Sequence, residues 1–258
     1  MIENIKEIYR YREMLKNLVK KDLRTRYKGS FLGFLWTFVN PLLQLIVYTI
    51  IFSTVMRINI DKFYMFLFVG LLPWIFFSTS VQVSAGTIIA NKDLVKKIYF
   101  PREILPLSVV TSGLVNLLFG FIIIFISLII SKIGITVSLV YLPIVIIVEY
   151  IITLAFSFLV SALNVYFRDL EHILGIVMMA WFYFTPIIFP IRMIPKEYLK
   201  YFFLNPMTPI IVSYKDILYY GRSPDFLMLG ISMLIGLLII IFSYNVFKIL
   251  QKNFAEEI

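Results

Sequence analysis

Residues 104–131 read ILPLSVVTSGLVNLLFGFIIIFISLIIS, 28 consecutive positions without an Asp, Glu, Lys or Arg. A helix rises about 1.5 Å per residue, so this run is about 42 Å long as a helix, more than the roughly 30 Å of hydrocarbon in a bilayer. It reads as a membrane span. Five more runs of the same character surround it, at about 31–56, 63–90, 142–163, 173–191 and 226–247. Of the six, only 142–163 holds a charged residue, Glu149. The pattern predicts an all-α membrane protein with six transmembrane helices.

Composition points the same way. Of 258 residues 60% are hydrophobic and 15% charged, against about 45–50% and about 25% in soluble domains. There are too few polar residues to cover an apolar core of that size, so lipid must solvate much of the surface. The formal net charge of +9 gathers at the ends of apolar runs, which argues for membrane orientation and against nucleic acid as a partner. Cysteine is absent, which removes disulfides, thiolate metal sites and cysteine nucleophiles. The first 30 residues are polar, and no cleavable signal peptide is expected.

Six spans put both termini on one side, and the Lys and Arg distribution selects the side. Sixteen fall in the N-terminal tail, the 91–103 segment, the turn at Arg168 and the C-terminal tail; eight fall on the opposite face. Both termini are therefore expected in the cytoplasm, with the protein multi-pass in the cytoplasmic (inner) membrane. Two regions divide the chain, a cytoplasmic stretch 1–30 and a permease domain 31–258.

Within 1–30, Ile5, Ile8, Leu15, Leu18, Val19 and Leu23 recur at helical spacing, with Lys6, Arg10, Arg12, Lys16, Lys20 and Lys21 mostly on the other faces. This predicts an amphipathic interface helix, which anchors to anionic lipid or grips a partner. Residues 192–225 are too apolar for a free loop, yet Pro195, Pro206, Pro209, Gly221 and Pro224 break them too often for a span. A re-entrant helical hairpin in the outer leaflet, between spans five and six, accounts for both properties.

Catalytic chemistry is missing. No G-x-x-x-x-G-K-[ST] loop cradles a nucleotide, and His172 has no second histidine or cysteine to form a zinc site. No serine has a base and an orienting acid at a useful spacing. The chain reads as a transport permease with no catalytic residues, no metal and no cofactor of its own.

Four segments together resemble the polysaccharide and polyol-phosphate branch of the type-2 ABC exporter permeases, which export O-antigen, teichoic acid or capsular polymer. They are Gly33-Phe-Leu-Trp36 with Asn40-Pro41-Leu42-Leu43; Phe100-Pro101-Arg102-Glu103-Ile-Leu-Pro106-Leu107; Asn164-Val-Tyr-Phe167-Arg168-Asp169-Leu170; and Thr185-Pro186-Ile-Ile-Phe-Pro190 with Asn205-Pro206. The resemblance implies a homodimer docked on two copies of a separate ATPase, which would bind ATP and Mg2+ and drive a lipid-linked glycan outward. Family members often carry an arginine after the Asn-Pro pair, where this chain has Lys215, a point charge in place of a fork.

The same motifs have a physical reading. Residues 91–101 offer apolar Leu94, Val95, Ile98 and Tyr99 beside polar Lys92, Asp93, Lys96 and Lys97, a short element able to seat in a groove of a soluble partner. With Arg168, Asp169 and Glu171 it forms the expected ATPase-coupling surface. Arg24, Arg26 and Lys28, just before span one, are expected at the depth of a lipid-linked substrate's phosphate head group, where the two guanidinium forks suit phosphate oxygens. They also satisfy the positive-inside rule. Phe34, Phe38, Tyr48 and Phe52 on span one, with Trp181 and Phe184 on span five, are expected to line a translocation path on which sugar rings slide, or to pack helices, and Glu149 of span four is counted with the path. Glu149 sits about 10 Å into span four, where a carboxylate must face water, a partner or a ligand. Alternatives are a type-2 exporter of a drug or lipid and an ion-driven secondary transporter, for which Glu149 is the available intramembrane ionisable group.

Overall fold

In hydrocarbon a backbone must satisfy its own hydrogen bonds, and the long apolar runs comply by forming helices. The computed structural model describes every residue except Met1, Arg26, Tyr27, Lys28, Ser30, Ile58 and Asn59 and, within the described residues, every side chain except those of Ile2, Glu3, Asn4, Ile5, Phe34 and Thr54. Among the described residues there is no strand. Two N-terminal helices, α1 (Ile2–Arg10) and α2 (Arg12–Thr25), precede α3 (Trp36–Thr49), which runs into a π-helical turn over Ile50–Val55. α4 (Phe63–Ala90), α5 (Lys92–Lys97), α6 (Ile104–Ile130), α7 (Leu142–Tyr166) and α8 (Leu170–Tyr183) follow. The chain ends with α9 (Lys196–Leu204), α10 (Met207–Leu218), α11 (Phe226–Leu250) and α12 (Phe254–Glu257).

Five helical segments are long and apolar enough to cross a membrane: Trp36–Ser53, Phe63–Ala90, Ile104–Ile130, Val137–Tyr166 and Phe226–Glu257. The span expected at 173–191 is different. Its helix, α8, stops at Tyr183 after 14 residues, or about 21 Å. Pro186 has no amide hydrogen and steers the residue before it away from helical torsions. Side chains then take over the carbonyls at the break. Thr185 Oγ1 donates to the Trp181 carbonyl at 2.8 Å, and Asn205 Nδ2 donates to the Phe184 carbonyl at 3.1 Å.

α4 is the hub, buried along most of its length and packed on α3, α6, α7, α8 and α10. Its approach to α6 depends on two glycines. A Cβ on Gly113 would overlap Ser80 Oγ, and one on Gly120 would stand 2.6 Å from a Leu72 methyl, so hydrogen is the only substituent that fits without movement. α11 packs along α7 and starts at Asp225, whose carboxylate accepts from the amides of Leu227 (3.0 Å) and Met228 (3.2 Å). α3 and α11 turn Leu43, Ile46, Val47, Leu234 and Leu238 outward, the exposure expected of helices solvated by lipid.

Candidate functional site

A groove runs along the inner side of α3. Near α8 it is a cavity of about 260 Å³ bordered by Gln44 and Tyr48 of α3, Ser78, Thr79 and Gln82 of α4, and Met178 and Tyr183 of α8. A smaller cavity of about 140 Å³ shares Ile75 and Thr79 and adds Thr37, Asn40 and Asn116. Asn40 and Gln44 are one helical turn apart, which brings both amides to the same side of α3. On α4, Gln82 Nε2 donates to the Ser78 carbonyl at 3.1 Å, Thr79 Oγ1 donates to the Ile75 carbonyl, and Ser78 Oγ donates there at 3.5 Å. Asn116 Oδ1 is buried without a hydrogen-bond partner among the described residues. No Asp, Glu, Lys or Arg borders either cavity. The groove thus offers amides, hydroxyls and rings without net charge, the set that solvates a neutral polyhydroxyl chain.

The aromatic residues expected along the path separate into four environments. Tyr48 stacks on Phe182 of α8 at 5.5 Å between centroids and tilts toward Phe52 at 6.3 Å, so these two lie beside the groove. Phe38 meets Phe119 of α6 edge-on at 6.5 Å. Trp181 is enclosed by Trp74, Phe77 and Phe156 at 6.4, 5.1 and 5.2 Å, whereas Phe184 is exposed. Phe34 lies outside the described side chains.

Trp181 has a second tie, through Asn205. Its Nε1 donates to Asn205 Oδ1 at 2.8 Å; Oδ1 also accepts from the Met207 amide at 3.0 Å, and Nδ2 donates to Thr185 Oγ1 at 2.9 Å. One amide therefore joins the Thr185-Pro186 break, the start of α10 and the ring cluster. α10 is nearly all buried. From it, Tyr214 donates to Glu149 Oε2 at 2.6 Å, with neither side chain exposed. The partner that Glu149 requires is this hydroxyl, inside the α7–α10 contact.

At the α5 end of the molecule, four parts of the chain converge. Tyr11 donates to the Tyr99 carbonyl at 3.2 Å, and Tyr99 Oη donates to Glu7 at 3.3 Å. Lys96 donates to the Ile258 carbonyl at 3.1 Å, and Tyr166 to that of Leu250 at 2.9 Å. Arg102 donates to the Gln251 carbonyl, and fully buried Glu103 pairs with Lys248. Phe254 fills the centre, wholly buried against Phe247 and Tyr166. Asp93 pairs with Lys97 at 3.8 Å on the exposed side of α5, Leu94 is half-buried, and Tyr99 is exposed.

Arg168 and Asp169 are exposed in the turn before α8, beside a cavity of about 670 Å³, and Glu171 lies over Gly86 of α4. The C-terminal segment touches α5 by Lys96 and α7 by Tyr166, so it lies between the two groups of residues expected to form the coupling surface. Arg24 is exposed in the last turn of α2; Arg26 and Lys28 lie outside the described residues. Sequence reasoning missed Phe254, Gln44 and Gln82. Each carries a signal: one aromatic in a polar tail, and amides inside otherwise apolar runs.

Long apolar helices around a central one, an uncharged hydrogen-bonding groove and a short helix tied down at one end define a polytopic transport subunit. The chain belongs to the ABC-2 type transporter family, whose model matches residues 13–219. It is 39% identical over 260 residues, covering 100% of both chains, to the O-antigen export system permease protein RfbA of Myxococcus xanthus. A protein of that name from Klebsiella pneumoniae is 34% identical over 245 residues, 95% of this chain and 94% of the relative. The polysialic acid transport protein KpsM of Escherichia coli is 25% identical over 226 residues, 84% of this chain and 83% of its own.

Proposed function

We propose that this chain is the transmembrane subunit of an ATP-driven ABC transporter that exports a lipid-linked polysaccharide across the cytoplasmic membrane. The observation that carries the reading is the uncharged groove of amides, hydroxyls and Tyr48 along α3. A sugar polymer needs many weak, similar contacts, so that no single minimum stops it. Family membership supplies the energy source, a partner ATPase.

In the arrangement proposed here α8 completes a six-span topology with the 184–190 segment, and both termini are cytoplasmic. α1 and α2 form the interfacial amphipathic helix, making residues 1–30 a region distinct from the permease domain 31–258. α9 and α10 form the outer re-entrant hairpin, supported by their position on the chain and by the burial of α10. Two copies pair, each with one ATPase. Asp93, Leu94, Lys96, Lys97 and Tyr99, with Arg168, Asp169 and Glu171, receive the ATPase; Arg24, Arg26 and Lys28 meet the substrate's phosphate. Tyr48 and Phe52 lie on the path, with Phe34, Phe38 and Phe184 at its borders, while Trp181 and Glu149 hold its walls from behind.

The test is export in cells carrying Gln44→Leu with Gln82→Leu. The variant is expected to insert and copurify with the ATPase but to leave glycan on the inner face. Export at the unaltered chain's level would remove the groove from the pathway.

A further inference from the structure

Toward the opposite end of α4 from α5, a cavity of about 240 Å³ opens between α4, the segment after α8, and α10. Phe66, Arg192, Lys215, Tyr220 and Arg222 border it. Lys215 is 3% exposed. Its ammonium donates to the carbonyls of Pro186 (2.6 Å) and Ile187 (2.8 Å) and stands 3.6 Å from the centre of the Phe66 ring. Those partners carry partial charge only, and a buried ammonium is best retained beside a full negative charge.

Asp216 also borders the cavity, but Arg222 takes it, at 2.7 Å from Nη2 and 2.9 Å from Nε. The positive charges of Lys215 and Arg192 are left without an ion pair among the described residues. Arg192 is exposed at the mouth and Lys215 is fixed in the wall. A fork that can close over a point charge set beside an aromatic ring is suited to a tetrahedral oxyanion.

We propose that this cavity is a binding site for a phosphate group. Resting on the exporter reading, which puts α9 and α10 on the outer side, the site lies where substrate leaves the protein. Phosphate there comes either from an outer-leaflet lipid headgroup or from a soluble phosphate, and both present the same oxyanion.

The test uses the full-length chain in phosphatidylcholine nanodiscs. One arm adds phosphatidylglycerol as a minor component and counts retained molecules by native mass spectrometry. The other titrates inorganic phosphate and follows the thermal midpoint. Binding in the first arm alone assigns a lipid headgroup; binding in the second assigns a soluble phosphate. Arg192→Gln, an exposed change that leaves the core intact, is expected to weaken the response about tenfold, the loss of one charge-assisted hydrogen bond. Lys215→Met is expected to weaken it at least as much. Lys200→Gln, on α9 away from the cavity, is expected to leave it unchanged. No response in either arm, equal binding by Arg192→Gln and the unaltered chain, or equal weakening by Lys200→Gln overturns the proposal. None of these outcomes requires transport, so the exporter reading stands or falls separately.

Discussion

Replacing Phe254 with alanine tests whether the C-terminal segment ties α5 to the end of α11. Phe254 is 0% exposed, with its ring 5.6 Å from that of Phe247, 6.4 Å from that of Tyr166 and 5.9 Å from the Arg102 guanidinium. Truncating a buried Phe costs about 3–5 kcal/mol where the surroundings cannot collapse. α12 has four residues and lies at the periphery, so it can relax, and the lower end of that range, about 3 kcal/mol, applies. At about 1.4 kcal/mol per factor of ten, the docked population falls roughly 100-fold relative to the undocked one. The loss is local, because the helices that hold the core do not depend on this ring. Hydrogen exchange read by mass spectrometry should show faster exchange in peptides covering 249–258 and 92–97, with α4 and α6 unchanged. If the tail exchanges faster and α5 does not, the tie is absent. If neither changes, the packing is wrong.

Tyr214→Phe removes the hydroxyl from Glu149 and leaves a buried carboxyl without a donor, for a loss of about 1–3 kcal/mol; thermal unfolding in detergent should show it, and adding Glu149→Leu should restore most of it. A double variant no more stable than Tyr214→Phe would contradict the pairing. Gly113→Ala forces a methyl onto Ser80 and should lose about 1–3 kcal/mol, part of which Ser80→Ala should return; a neutral single variant would refute the close approach. In this cysteine-free chain, cysteines at Lys196 and Arg222 should react with an impermeant thiol reagent applied from outside, and one at Lys96 should not. The reverse labelling pattern would invert the topology.

Much of the fold was legible because hydrocarbon imposes a simple rule: a run of about 20 uncharged residues becomes a helix. α4 begins at Phe63 and ends at Ala90, the limits of its apolar run, and α6 follows its run as closely. The run at 173–191 broke the rule because Pro186 and Asn205 end the helix, and a cap supplied from twenty residues away leaves no periodic trace. The two motifs, Thr185-Pro186 and Asn205-Pro206, were visible separately; the hydrogen bonds that join them were not. Glu149 was recognisable as needing a partner, but Tyr214 is 65 positions distant. The four aromatics of the first span, Phe34, Phe38, Tyr48 and Phe52, share a face on an ideal helix. In the structure Phe38 turns to α6 and Tyr48 to α8, since ten residues of helix rotate the direction by about 80°. The α5 element was legible from its local alternation of apolar and charged residues. Its attachment to Phe254 was not, because it depends on how α11 brings the C-terminal segment back.

The central claim is tested most directly by transport itself. Proteoliposomes holding this chain with its partner ATPase, loaded on one face with lipid-linked glycan, are assayed for glycan exposed on the other face. Glycan should cross when ATP is supplied, and should not cross with a non-hydrolysable nucleotide or with this chain alone. Transfer driven by an ion gradient without ATP would contradict the account.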